Sequence, residues 1–487
     1  MNTPLVILHL GLGSFHRAHQ AVYLHRLHEQ GDRSWTLVGG NIRNDMAPTM
    51  QALAAQGGQY TLETVSPAGE RRYERIASIS RVLPWSPDHE SVVEVGADPN
   101  TRIISFTVTE AGYYLAPDNT LDTAYPDLVA DLEGPTGAGP SQGGRAPSAG
   151  SERSERGGGH SCTTIYGAIE KILSARMAHN AGPVTLLNCD NLRSNGARFR
   201  AGMLDFLSRR EQGELRAWFE ANTSCPNDMV DRITPRPTPD VAQRVKAATG
   251  RDDQAAVMAE SFIQWVIEDR FVAGRPAWEN VGVELVDSVH AYEEAKIRVL
   301  NATHSCVAWA GTLRGYGFIH EDMADPQIRQ LGHDYVTQDV IPSLDTPAHP
   351  CPIDLAAYRD VVLDRFGNPN IRDNNQRVAM DGFSKLPGMI VPTLRDCLED
   401  GRPMDATAML PALFFEFLSR WHRGTLGVPY ADGVMDPAVA HGFFVTKDPL
   451  GAFLKDPMLW GPLAGNPTID AAVRKAHPRV QQMFLKG

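Results

Sequence analysis

Apolar and polar positions along the chain follow two patterns that meet near Val286. Before that point, short unbroken apolar runs alternate with stretches of helical spacing. The runs are LVILHLG (Leu5 to Gly11), WTLVGG (Trp35 to Gly40), RIISFTVTE (Arg102 to Glu110) and PVTLLNC (Pro183 to Cys189). Runs this apolar predict parallel strands covered on both faces. With helices between them they predict an α/β, doubly wound domain over residues 1–286. Beyond it, YEEAKIRVLNATHSCVAWAGTLRG (Tyr292 to Gly315), DLAAYRDVVLDRF (Asp354 to Phe366) and TAMLPALFFEFLSRWHRG (Thr407 to Gly424) have helical period and length. Gly315 is the expected stop of the first. Residues 287–487 therefore read as a second, mainly α-helical domain.

Gly134 to His160 follows neither pattern. It is mostly Gly, Ser and Pro, with no apolar side chain larger than alanine or proline. It cannot bury enough surface to offset the entropy of ordering, so it is expected to be a disordered surface insertion. The strand-like PVTLLNC follows it, which places it inside the first domain. The remaining composition narrows the function only by exclusion. A net charge of −12 over 487 residues, with both signs interspersed, argues against a nucleic-acid or anionic-membrane partner. The apolar N-terminal run is too short for a signal peptide, and no run approaches a membrane span. Six scattered cysteines form no CxxC pair, so reduced thiols in a cytoplasmic protein are expected, with no cysteine-held zinc.

The first candidate site is GLGSFHRAHQ (Gly11 to Gln20), where a strand runs into a helix. Gly11 and Gly13 permit a tight turn and close approach of backbone to a pyrophosphate. His16 or Arg17 could add positive charge. His16 stands where the dinucleotide fingerprint has its third glycine. The second strand should end in an acid if it binds the ribose hydroxyls of NAD. It ends instead in VGGNIRND (Val38 to Asp45), with Asn41 and Arg43 in that place. An arginine there could accept the 2′-phosphate of NADP, so the residues leave both cofactors open.

The second candidate site is KIRVLNATHS (Lys296 to Ser305). At 100° per residue, Glu293 falls roughly 60°, His304 roughly 80° and Asn301 roughly 140° from Lys296. Ile297 and Leu300 share this arc, so these polar groups lie among apolar neighbours and need partners or a cavity. The set suits metal-free alcohol oxidation. A desolvated lysine can take a hydroxyl proton, amides can hold the developing alkoxide, and Glu293 could pass the proton to solvent.

With both sites in view, the chain resembles the mannitol dehydrogenase family of polyol-specific long-chain dehydrogenases. GLGSFHRAHQ, LLNCDNLRSNG (Leu186 to Gly196), MVDRITP (Met229 to Pro235), KIRVLNATHS and NQRVAMDGFSKLP (Asn375 to Pro387) carry the resemblance, which spans nearly the whole chain outside the insertion. It implies a Rossmann-like first domain and roles for single positions. Lys296 would be the general base, Asn191 and Asn301 the oxyanion hole, and His304 a substrate and base-positioning residue. Glu293 would lie on the proton exit path. Asp231, Arg377 and Lys385 would bind polyol hydroxyls. Gly11, Leu12, Gly13, Ser14, Phe15, His16, Arg17, Asn41, Arg43, Thr109 and Asp190 would contact the cofactor, NAD by family preference. Read from the residues alone, Arg377 and Lys385 are solvated charges, Asp190–Asn191 a loop cap, and Asp231–Arg232 a surface ion pair.

The resemblance implies zinc-independent oxidation of D-arabinitol to D-xylulose, with D-mannitol to D-fructose a further reaction, by a protein that is often monomeric. A uronate (fructuronate or tagaturonate) reductase of the same family is the near alternative and would need an extra cation in the pocket. A dinucleotide-binding redox sensor is the alternative of another class.

Overall fold

A computed structural model describes residues 3–116, 120–134 and 162–484. The predicted insertion, from residue 135 onward, lies outside the described residues. The chain divides into two compact units. One comprises Met1–Thr64 with Arg71–Val289, and the other Val65–Glu70 with His290–Gly487.

The first unit is built on a six-stranded sheet. Its strands are β1 (Leu5–Leu10), β2 (Trp35–Gly40), β3 (Ile79–Val82), β4 (Thr101–Phe106), β5 (Val184–Asn188) and β6 (Thr223–Ser224). They lie in the order β3-β2-β1-β4-β5-β6, and every pair is parallel. This is the doubly wound Rossmann arrangement, in which strand order reverses between β1 and β4 and ligands lodge at the carboxyl ends there. The near-continuous apolar strands follow from burial on both faces. One core (Ile7, Leu37, Ile103, Leu187) and a second (Leu8, Leu10, Ile104, Phe106, Leu186) take alternate residues of the same strands.

The second unit is helical, as its periodicity predicts. Its centre is the helix Ala302–Arg314, in which Cys306, Val307, Ala308, Trp309 and Ala310 are fully buried. It ends at Gly315 with φ +86°, the left-handed cap that glycine adopts most readily. The predicted core helix is present as Met409–His422. Its buried Glu416 lies 3.3 Å from both Arg423 and His477.

Three helical segments of this unit are widened into π-turns: Lys296–Asn301, Val336–Val340 and Leu386–Ile390. The latter two each run into a proline, Pro342 or Pro392. A proline removes one N–H and displaces the carbonyl four residues before it, and a wider turn relieves both defects. Lys296–Asn301 contains no proline, and none follows it before Gly315. Its widening has no such local cause, and π-turns of this kind cluster at functional sites.

Candidate active site

The turn after β1 is held from two sides. Gly11 takes φ +109°, and a Cβ added there would lie 2.5 Å from the Thr107 carbonyl oxygen. Thr107 Oγ1 donates to the Gly11 carbonyl (2.9 Å), and the Leu12 N–H donates to Asn41 Oδ1 (2.9 Å). The turn thus sits against the ends of both β4 and β2. Gly13 differs, because a Cβ there would meet nothing nearer than its own loop's Gly11 carbonyl at 3.9 Å. That open space over backbone at the switch point fits a dinucleotide's pyrophosphate. Leu12 is fully buried, and its side chain covers Gly39, where any Cβ would overlap it. Ser14 and Phe15 are half-buried, and Phe15 stacks on His19 at 5.0 Å.

Several expectations for this region are corrected. The helix is not continuous. It runs Ser14–Ala18, breaks at His19 (φ −127°, ψ −87°) and restarts as Gln20–Glu29. Arg17 offers no charge to a phosphate. It is 2 % exposed, turns inward to donate to the Ala255 and Leu12 carbonyls, and lies over the Tyr60 ring. His16 is no cation either. It stacks on His9 with ring centroids 3.4 Å apart, and burial pushes both imidazoles down, His9 to about 3. Arg43 donates to Thr163 O (3.1 Å), Tyr114 OH (2.5 Å) and Asp127 Oδ2 (3.1 Å), so its charge is already answered within the protein.

Asp190 acts on the loop after β4. Its carboxylate accepts from the Val108 N–H (3.0 Å), the Thr109 N–H (2.9 Å) and the Tyr113 hydroxyl (3.0 Å). Burial pushes this carboxyl up, and the hydrogen bonds oppose that rise. The loop it holds is strained, since Thr109 has φ +66° and ψ 165°, a region almost confined to glycine. Asp190 therefore shapes the loop that carries Thr109. Asn191 follows it at the carboxyl end of β5 and is exposed. Asp231 and Arg232 form no surface pair: they are 4 % and 5 % exposed. Arg232 donates to the Glu260 carbonyl (2.8 Å) and to that of Ala18 (2.5 Å).

In the second unit, Glu293 (5 % exposed) and Lys296 (7 % exposed) are buried, and Asn301 and His304 are half-buried. The π-turn changes their register. Ordinary α spacing would rotate Asn301 by roughly 140° from Lys296. A π-turn, with more residues per turn, brings the two nearer to one side. The helix carrying His304 packs against Asn375–Ala379, the helix that carries Arg377. His304 Nε2 lies 3.2 Å from Asp373 Oδ2, and Arg377 donates to Asp373 Oδ1. The Arg377 side chain is otherwise 68 % exposed. Lys385 Nζ donates to the Val378 carbonyl (2.7 Å), so neither cation is simply solvated. Burial pushes the His304 imidazole down. Burial also opposes ionisation of Asp373, but His304 and Arg377 outweigh it and hold that carboxyl well below the usual range.

Among the described residues one trio, His25, Glu29 and Glu74, has metal-ligand spacing. His25 Nδ1 accepts the Ala77 N–H (3.4 Å), which places the ring proton on Nε2, facing both carboxylates at 3.6 and 3.7 Å. That tautomer has no lone pair on Nε2 for a metal.

Residues 5–280 match the mannitol dehydrogenase Rossmann domain, and residues 288–481 the mannitol dehydrogenase C-terminal domain. The chain belongs to the mannitol dehydrogenase family. It is 57 % identical over 98 % of its length to a D-arabinitol 4-dehydrogenase of Ralstonia nicotianae, covering 96 % of that protein. To a D-arabinitol 4-dehydrogenase of Klebsiella pneumoniae it is 53 % identical, over 98 % of both chains. Mannitol 2-dehydrogenase of Pseudomonas fluorescens, solved as a ternary complex with NAD and D-mannitol, superposes with a TM-score of 0.79 at 32 % identity. The match covers 99 % of this chain and 94 % of that one. The chain is thus an oxidoreductase of the mannitol dehydrogenase family.

Two features of this family member were not read from its sequence. Asp373 stands four residues before Arg377, a helical ion-pair spacing that could have been noticed. Thr107, which ties β4 to the glycine turn, carries no comparable signal.

Proposed function

We propose that this protein is an NAD-dependent polyol dehydrogenase that oxidises D-arabinitol to D-xylulose, with D-mannitol a second substrate. The observation that carries the mechanism is a buried Lys296 opening a π-turn that no proline explains. NAD, when bound, supplies the hydride acceptor. The chain's own residues handle the proton and the oxygen. The Lys296 amine, in its neutral form, takes the proton of the reacting hydroxyl. Amide N–H groups of Asn301 and Asn191 donate to the developing alkoxide. Glu293, three residues before Lys296, relays the proton outward. His304, Asp231, Arg377 and Lys385 hold the other hydroxyls.

The engaged Arg43 favours NAD, because a 2′-phosphate would compete with Asp127 for its guanidinium. The pairing of Arg377 with Asp373 favours a neutral polyol over a uronate, whose carboxylate needs an uncompensated cation. The test is a panel of pentitols, hexitols and hexuronates with NAD and NADP at alkaline pH, followed by NADH or NADPH absorbance. D-Arabinitol with NAD should give the largest kcat/KM. No NADH from any polyol would sink the proposal, and a preference for a uronate would replace it.

A further inference from the structure

His304 is fixed on two sides. Its ring stacks on Phe366 with centroids 4.5 Å apart and planes 16° from parallel. Its Nε2 and Asp373 Oδ2 are both buried and lie 3.2 Å apart, outside hydrogen-bond alignment, and neither has another partner, while the His304 side chain as a whole keeps 17 % exposure. Asp373 is itself fixed. Its carbonyl accepts the Ile319 N–H (3.0 Å), and Phe318 bridges to the next residue, Asn374. The preceding Arg372 takes φ +51°, an uncommon conformation outside glycine. The other oxygen of Asp373 is taken by Arg377, so each carboxylate oxygen faces one nitrogen.

An ionised carboxylate only accepts hydrogen bonds, so the imidazole nitrogen turned toward it carries the proton. The charged groups around the ring are Asp373, Arg377 and Lys385; burial and the two cations disfavour its charged form, and Asp373 opposes them. A neutral imidazole has one N–H. With that N–H on the side of Asp373, its nearest acceptor, the other nitrogen, Nδ1, carries a lone pair.

From this we propose that Asp373 is a positioning residue that holds His304 as the Nε2–H tautomer, so that His304 accepts a hydrogen bond from a substrate hydroxyl through Nδ1. This deepens the reading of His304 as a substrate-binding residue and rests on it. The same carboxylate anchors Arg377, so one side chain sets two of the proposed polyol contacts. A hydroxyl that donates to Nδ1 keeps its oxygen lone pairs for Arg377 or an amide. A carbonyl at that position would meet a lone pair, which makes the contact selective for alcohol over ketone.

Two measurements test this. In protein labelled with ¹⁵N-histidine and free of substrate, the His304 signal, assigned by its loss in His304→Asn, should show the proton on Nε2. In Asp373→Asn that preference should collapse toward a mixture. In kinetics, Asp373→Asn should lower kcat/KM for the polyol about 100-fold, as a misplaced contact does. The loss should fall mainly on KM, with the NADH Kd and melting temperature close to wild type. Asp373→Glu should recover part of it. A proton found on Nδ1 in the wild type overturns the proposal. So does an Asp373→Asn variant with wild-type KM and kcat, or one whose loss is accounted for by unfolding. The tautomer is read without turnover, so failure to oxidise any polyol would refute the function above and leave this test standing.

Discussion

Replacing Gly11 and Gly13 by alanine, one at a time, separates two demands on the same turn. At Gly11 the backbone lies at φ +109°, and the new Cβ would sit 2.5 Å from Thr107 O and 2.8 Å from Thr107 Oγ1. The strained dihedral costs about 1–3 kcal/mol. The overlap, with a backbone atom that cannot swing away, costs another ~1–3 kcal/mol. A total of about 2–6 kcal/mol, at roughly 2 °C per kcal/mol for a unit of this size, should lower its melting temperature by roughly 4–12 °C. The turn would also lift from β4 and weaken NADH binding. At Gly13, φ is −68° and the space is open, so Gly13→Ala should melt within a degree or two of wild type. If that space is where the pyrophosphate meets the backbone, Gly13→Ala should still weaken NADH at least about tenfold. Differential scanning fluorimetry and NADH fluorescence titration read the two effects separately. The reasoning is refuted if Gly11→Ala melts and binds like wild type, or if Gly13→Ala binds NADH unchanged.

Three further outcomes are expected. Arg176, fully buried, donates to six carbonyls, from Gly96 O at 2.7 Å to Ala181 O and Pro183 O at 3.2 Å. Arg176→Met should cost about 3–5 kcal/mol in urea unfolding, with KM for the cofactor unchanged in the folded fraction. Asp322 is buried with Oδ2 unpartnered, and burial pushes its carboxyl up to about 8. The folded state thus favours its protonated form, and this stability is full below the ordinary aspartate range. It is lost progressively up to about pH 8 and level above it, so Asp322→Asn should flatten this part of the pH–stability curve. Deleting half-buried Ile297 should let the π-turn revert to an ordinary helix. The variant should keep its circular dichroism and melting temperature but lose turnover, because the register between Lys296 and Asn301 would change; full activity would refute a functional role for the widened turn.

The strands were legible because burial on both faces leaves an unmistakable apolar run, as in LVILHLG and PVTLLNC. Their alternation with helices pointed to a doubly wound sheet, without its strand order. The chemistry was legible where polar residues interrupt an apolar helix, as Lys296, Asn301 and His304 do. Side-chain direction was not. Arg17 finds its carbonyl partner 238 residues away, at Ala255, and Arg232 finds Ala18 214 residues away. No local pattern reveals a bond between positions so far apart, and a charged residue in a glycine-rich turn reads as a phosphate ligand by default. The π-turn was hidden for another reason. A period of 100° per residue assumes the α-helix, and the segment has no proline to signal a departure from it.

The central claim is that the Lys296 amine takes the hydroxyl proton. Its most direct test is the turnover of Lys296→Ala with D-arabinitol and NAD, with and without added primary amines. Turnover should fall about 10²- to 10⁴-fold, NADH affinity should stay close to wild type, and amines should restore part of the rate in proportion to their neutral form. A variant that oxidises the polyol within a few-fold of wild type, with no response to amines, would contradict the account.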